Sequence, residues 1–150
     1  MTWERLLADR RVQRHSTSKE EIADLMALVE RDTADASIGA LSTDRRFAIA
    51  YNAALQLATI ARACEGYRTT GPAHHQTTFM ALTLAVDRPT IDDIAAYFEL
   101  CRRKRNVLDY TKVGATSETE VSELRGEVAR FRSLVWDWLS EEHPHLSGDQ

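Results

Sequence analysis

The sequence has few residues that interrupt helices and no long apolar run. Six glycines and three prolines in 150 residues leave few breaks along the chain. No apolar run approaches the roughly 20 residues that a membrane-spanning helix requires, so we expect no membrane partner. The opening Met1-Thr2-Trp3-Glu4-Arg5 has neither the apolar stretch nor the cleavage site of a secretory signal. We therefore expect a cytoplasmic protein.

Cysteine is also scarce. Cys64 and Cys101 fall on apolar helix faces, which is typical of buried thiols in a reducing compartment. The adjacent His74 and His75 point about 100° apart on a helix, so they cannot grip one metal ion as an i,i+4 pair does. The sequence contains no Cys-x-x-Cys pair, glycine-rich phosphate loop or Ser/His/Asp order. We expect no metal site and no cofactor.

An excess of positive charge is absent as well. The 19 Lys and Arg residues against 23 Asp and Glu residues give a net charge of −4. This balance excludes a globally basic nucleic-acid binder, and we expect no DNA partner. A local basic patch remains possible, and the densest positive cluster is Arg102-Arg103-Lys104-Arg105.

Helix-forming residues dominate what is present. The mass of 17.0 kDa fits one domain over residues 1–150, with 43% hydrophobic and 28% charged residues. Capping boxes begin helices after Ser18 and Ser117, and Gly66 ends an alanine-rich central helix that starts at Ser42 or Thr43. We find no strand pattern and read Tyr67 to Gly71 as a loop. We predict an all-α, up-and-down bundle of four long helices plus a short N-terminal helix.

One polar helix face can carry chemistry. Arg102, Arg105, Asn106 and Asp109 follow the spacing i, i+3, i+4, i+7, and Tyr110 lies one turn beyond Asn106. The planar guanidinium of arginine has several N–H donors whose arrangement matches phosphate oxygens. Asparagine can orient a ligand, and the tyrosine hydroxyl can donate a hydrogen bond. The alternative is a solvated face with an Arg105–Asp109 pair worth about 0.3–0.5 kcal/mol.

The motif on this face resembles the signature helix of HEPN-domain proteins. Arg105-Asn106-Val107-Leu108-Asp109-Tyr110, after Arg102-Arg103, provides the first likeness. The second is Ala50-Tyr51-Asn52-Ala53-Ala54-Leu55 through Gly66-Tyr67-Arg68, followed by His74-His75 and Phe79, so that the match spans roughly residues 42 to 112. The resemblance implies a small helical bundle, typically a homodimer, often found in toxin–antitoxin or anti-phage systems.

The resemblance also implies roles for individual residues. Ribonuclease members carry Arg, a polar residue and then His; here Arg105 and Asn106 match, whereas the His position is Tyr110. Tyrosine, with a pKa near 10, is a poor proton-exchanging group at pH 7. Either the protein is non-catalytic, or His74 or His75 supplies the base of a metal-independent endoribonuclease. Arg102, Asp109, Arg68, His74 and His75 are the candidate ligand-binding residues around Arg105, Asn106 and Tyr110.

Several partners are expected. The arginine face is expected to bind RNA; alternatively, the resemblance to HEPN toxins implies a nucleotidyltransferase-type antitoxin that modifies Tyr110. Trp136 and Trp138 lie on nearly opposite sides of the last helix, which favours one of them meeting a partner chain, as in a homodimer. A third possibility is a bundle that encloses a small apolar ligand, in a cavity lined by Phe47, Leu55, Phe79 and Phe98.

Overall fold

The computed structural model describes residues 1–110 and 113–148, and only the backbone of residues 108–110. Over these residues the chain is mostly helical, with six helices and two short strands, so the predicted helical class is confirmed. The elements are α1 (Trp3–Ala8), β1 (Val12–Arg14), α2 (Lys19–Asp35), α3 (Thr43–Cys64), β2 (Tyr67–Thr69), α4 (His74–Ala85), α5 (Ile91–Tyr110) and α6 (Glu118–Glu142).

The helix ends follow the capping signals in the sequence. The Ser18 side chain accepts a hydrogen bond from the Glu21 amide at the start of α2. At the start of α6, Ser117 and Glu120 form both hydrogen bonds of a capping box. Gly66 has a φ of +93°, and its amide bonds to the Ala63 carbonyl as α3 ends. Glycine adopts this left-handed conformation without a steric penalty.

Helix α3 is the centre of the fold. It contacts α2, α4, α5 and α6, and its alanines at 53, 54, 58 and 61 are fully buried. These small side chains allow neighbouring helices to approach closely. The prediction that this helix is the central and most buried one is confirmed.

The aromatic core fills the space between the helices. The ring centroids of Phe79 and Phe98 lie 5.8 Å apart, and those of Phe98 and Phe131 lie 5.1 Å apart. Two of the rings proposed to line an apolar cavity therefore contact each other. Trp138 is buried, whereas Trp136 remains partly exposed beside α2.

The two strands correct the prediction of no strand and of a loop after Gly66. β1 pairs antiparallel with β2, with Val12 opposite Thr69 and Arg14 opposite Tyr67. Each strand has three residues, too few for an alternating pattern to emerge in the sequence. The Tyr67 ring stacks on Trp3 with centroids 4.2 Å apart, so the sheet joins α1 to the segment that precedes α4.

A buried arginine ties that segment to the helices. Arg62 of α3 donates to the Tyr67 carbonyl at 3.2 Å and to the Thr69 and Thr78 hydroxyls at 3.2 and 2.8 Å. Burial lowers the pKa of Arg62 to about 10. Its guanidinium thereby sets the position of β2 and of the first turns of α4 relative to α3.

The connection from α5 to α6 is held in a similar way. The Asp44 carboxylate accepts from the Gly114 amide at 2.6 Å and the Thr116 amide at 3.1 Å. Lys104 of α5 donates to the Ala115 carbonyl and pairs with Glu120 of α6. These contacts anchor the second half of α5 against the start of α6.

Candidate functional site

A polar cleft of about 190 Å³ lies between the start of α4 and the second half of α5. Four residues selected from the sequence line it, namely His74 and His75 of α4 and Arg102 and Asn106 of α5. The other lining residues are Pro72, Ala73 and Gln76. Two segments more than 25 positions apart in the sequence therefore meet at one surface site.

The start of α4 presents donors to this cleft. The Ala73 N-cap position makes no side-chain hydrogen bond to the helix, and the first turn contains no acidic residue. The first backbone amides of a helix have no acceptor within the helix and carry partial positive charge. Gly71, at a φ of +86°, turns the chain into this segment, and its carbonyl lies 3.2 Å from Nδ1 of His74.

Arg102 is oriented by a carboxylate from its own helix. Its Nε and Nη2 atoms donate to Glu99 at 2.6 to 3.1 Å, and both side chains are about 20% exposed. Hydrogen bonding from Arg102 holds the pKa of Glu99 below its usual range. These bonds do not use Nη1 of Arg102, so that edge of the guanidinium can donate to a ligand. Sequence reasoning missed Glu99, although its i,i+3 spacing from Arg102 was a signal.

Arg105 packs against the aromatic ring of a buried tyrosine. Its guanidinium carbon lies 5.4 Å from the ring centroid of Tyr51, a residue of α3 that is fully buried. The Tyr51 hydroxyl lies 3.4 Å from Nδ1 of His75. Burial raises the pKa of Tyr51 to about 12. The expectation of a core tyrosine with a satisfied hydroxyl is confirmed, but its contacts with two candidate site residues were not predicted.

Two arginines of α5 lie at or near the cleft. Arg102 lines it and pairs with the Glu99 carboxylate, and the Arg105 guanidinium lies over the Tyr51 ring. Burial lowers the pKa of His75, and the neighbouring His74, Arg105 and Arg102 lower it further. The lowered pKa favours the neutral form of the His75 ring.

The other predicted site residues lie away from the cleft or have side chains outside the described part of the chain. Arg68 is exposed on β2, opposite Gln13, and it does not line the cleft. Asp109 and Tyr110 belong to the last turn of α5, but their side chains lie outside the described part of the chain. The predicted Arg105–Asp109 pair and the proposed modification of Tyr110 therefore stay predictions.

Within residues 1–110 and 113–148, no group of three or more His, Cys, Asp or Glu side chains is placed to hold a metal ion. None of the described helices is both long and apolar enough to cross a membrane. Comparison with known proteins gave no match to a family model, a curated protein or a solved structure. The resemblance to HEPN-domain proteins thus remains a prediction from the two short motifs.

Proposed function

We propose that this protein binds RNA by its phosphate groups in the cleft between α4 and α5. The observation that supports it is the meeting of donors from two helices at one site. Arg102 and Asn106 of α5 and His74 and His75 of α4 line this cleft. The first turn of α4 also has backbone amides without an acceptor within the helix. Such donors match the oxygens of a phosphodiester.

The size of the cleft favours a polymer over a free nucleotide. Pockets that enclose a whole small molecule usually measure roughly 300–1,000 Å³. A volume of about 190 Å³ suits a phosphate group and part of its sugar. The rest of the ligand then lies over the surrounding surface, as a nucleic-acid strand does.

The test compares two neighbouring arginines on α5. Arg103 has a side chain that is 67% exposed, whereas Arg102 lines the cleft. We expect Arg102→Gln to weaken binding of a fluorescent single-stranded RNA by about tenfold and to reduce the salt slope by about one. Arg103 does not line the cleft, and its Nε lies 3.5 Å from the Glu99 carboxylate that Arg102 binds more closely. Arg103→Gln removes the same charge and is expected to change affinity by less than about twofold.

Fluorescence anisotropy at several KCl concentrations measures both quantities. Circular dichroism shows whether each variant keeps its helices. Equal loss of affinity in the two variants contradicts binding at the cleft and indicates general charge attraction. Wild-type protein that binds no RNA at low salt refutes the proposal.

A second candidate function is metal-independent cleavage of the bound RNA. The two adjacent imidazoles of His74 and His75 at the cleft favour it, because imidazole exchanges protons near pH 7. We expect cleavage to persist in the presence of a chelator and to disappear in the His74→Ala variant. RNA that stays intact after long incubation with wild-type protein contradicts cleavage, and the proposal is then limited to RNA binding.

The proposal extends to a homodimer that uses α5. Leu100 is 62% exposed and Val107 is 46% exposed, and their spacing of seven residues places them on one face of α5. Sedimentation equilibrium should show a dimer that Leu100→Lys weakens. Ile38→Lys changes a comparably exposed residue in the α2–α3 connection and should leave association unchanged. A wild-type monomer at all concentrations contradicts this extension.

A further inference from the structure

The two adjacent histidines of the cleft have different hydrogen-bond partners. Nδ1 of His74 lies 3.2 Å from the Gly71 carbonyl oxygen. A carbonyl can only accept, so Nδ1 of His74 carries the hydrogen of the neutral ring. Nε2 of His74 is then left with a lone pair and is an acceptor.

The partner of His75 is a hydroxyl group, which can donate. Nδ1 of His75 lies 3.4 Å from the hydroxyl of Tyr51, which is 0% exposed. Among the described residues, this nitrogen is the one hydrogen-bond partner of the Tyr51 hydroxyl. A buried hydroxyl that donates to nothing is costly, so Tyr51 donates and Nδ1 of His75 accepts. The hydrogen of the neutral His75 ring therefore sits on Nε2.

We infer that Tyr51 is a positioning residue that holds His75 in the tautomer opposite to that of His74. The pair then offers the cleft one acceptor, Nε2 of His74, and one donor, Nε2–H of His75. Resting on the proposed function, this combination selects a ribose 2′-hydroxyl beside a phosphodiester. The hydroxyl donates to His74 while a phosphate oxygen accepts from His75, a pairing that DNA cannot complete.

The geometry and the surrounding charges support this arrangement. The two imidazole centroids lie 4.5 Å apart and the rings are nearly perpendicular, so one nucleotide can contact both. Burial and the positive charges of Arg102 and Arg105 on α5 disfavour a second proton on His75. Tyr51 from α3 keeps its own proton, because burial raises its pKa. Glu99 is paired with Arg102.

Nitrogen-15 NMR of the ligand-free protein tests the tautomers without reference to RNA. Long-range proton–nitrogen correlations distinguish a ring nitrogen that carries hydrogen from one that does not. We expect hydrogen on Nε2 of His75 and on Nδ1 of His74. Tyr51→Phe should mix the two tautomers of His75, whereas Tyr67→Phe, which removes a hydroxyl on β2, should not. Hydrogen on Nδ1 of His75 in the wild-type protein overturns the inference.

Binding of matched RNA and DNA strands tests the selection. We expect wild-type protein to prefer RNA by about tenfold, the value of one hydrogen bond, and Tyr51→Phe to lose most of that preference. Tyr67→Phe should retain it. Equal binding of both strands overturns the selection but leaves phosphate binding intact. If neither strand binds, both the proposed function and the selection of RNA over DNA are refuted. The NMR experiment then still tests the tautomers of the two histidines.

Discussion

The guanidinium of Arg105 lies over the buried ring of Tyr51, with 5.4 Å between the guanidinium carbon and the ring centroid. This contact links α5 to α3 at the edge of the cleft, and it places a permanent positive charge beside His75. Arginine stacks on an aromatic face through its planar group, which lysine does not have. The contact therefore gives Arg105 a role in packing as well as in charge.

Replacing this arginine by lysine separates the two roles. Arg105→Lys keeps the positive charge, and we expect it to lower the free energy of unfolding by about 1 kcal/mol through loss of stacking. Urea denaturation measures this change, and Arg103→Lys, at a neighbouring exposed position, is the control. The same cost in a Tyr51→Leu background would show that the aromatic ring is not the partner that matters.

Arg62 is predicted to be essential for the stability of the segment that carries the site. Arg62→Met keeps the apolar stem but leaves the Tyr67 carbonyl and the two threonine hydroxyls without their donor. We expect a loss of about 2–4 kcal/mol in unfolding free energy. Arg45→Met, on the exposed side of the same helix, should change it little. Urea denaturation measures the unfolding free energy of both variants. If Arg62→Met is as stable as Arg45→Met, the hydrogen bonds of Arg62 do not contribute to stability.

The Asp44 carboxylate makes the α5–α6 connection sensitive to acid. Hydrogen bonds, first from the Gly114 amide, hold the pKa of Asp44 below its ordinary value of 3.8. Its folded pKa is lowered, so its stabilisation is present above pH 3.8 and is lost as the pH falls through the folded pKa. Asp44→Asn should remove the acid-dependent loss of stability that is due to Asp44, which is measured as the change of the urea midpoint with pH. Asp24→Asn, at an exposed position of α2, is the control, and an unchanged profile in Asp44→Asn contradicts the assignment.

Both thiols are predicted to resist alkylation in the folded protein. Burial raises the pKa of Cys64 to about 12 and that of Cys101 to about 11, so almost no thiolate exists at pH 8. Thiolate is the reactive form of cysteine. Mass spectrometry after iodoacetamide treatment should show no adduct until urea is added. Rapid modification under native conditions would contradict the buried packing of these residues.

Much of the helical framework could be predicted because its signals are local. The serine caps at 18 and 117 and the stop at Gly66 each depend on residues within four positions. The pairing of β1 with β2 could not be predicted, because it joins Arg14 to Tyr67 across more than 50 residues. Three-residue strands carry too little pattern to reveal such a partner.

Part of the candidate site could also be predicted, because some of its signals are local in the sequence. Helical spacing placed Arg102 and Asn106 on one face, and both line the cleft. The Tyr51 contacts depend on how α3, α4 and α5 pack, which no local pattern encodes. Arg68 follows Gly66 closely in the sequence, yet the strand geometry of β2 leaves it opposite Gln13 and out of the cleft.

The Glu99–Arg102 pair has a consequence for the speed and strength of recognition. Because the carboxylate restrains the guanidinium during folding, little rotamer entropy remains to be lost when a phosphate arrives. The same carboxylate repels the incoming anion, which moderates affinity and favours release. For the proposed RNA binding, we therefore expect brief, repeated encounters with many strands rather than long residence on one.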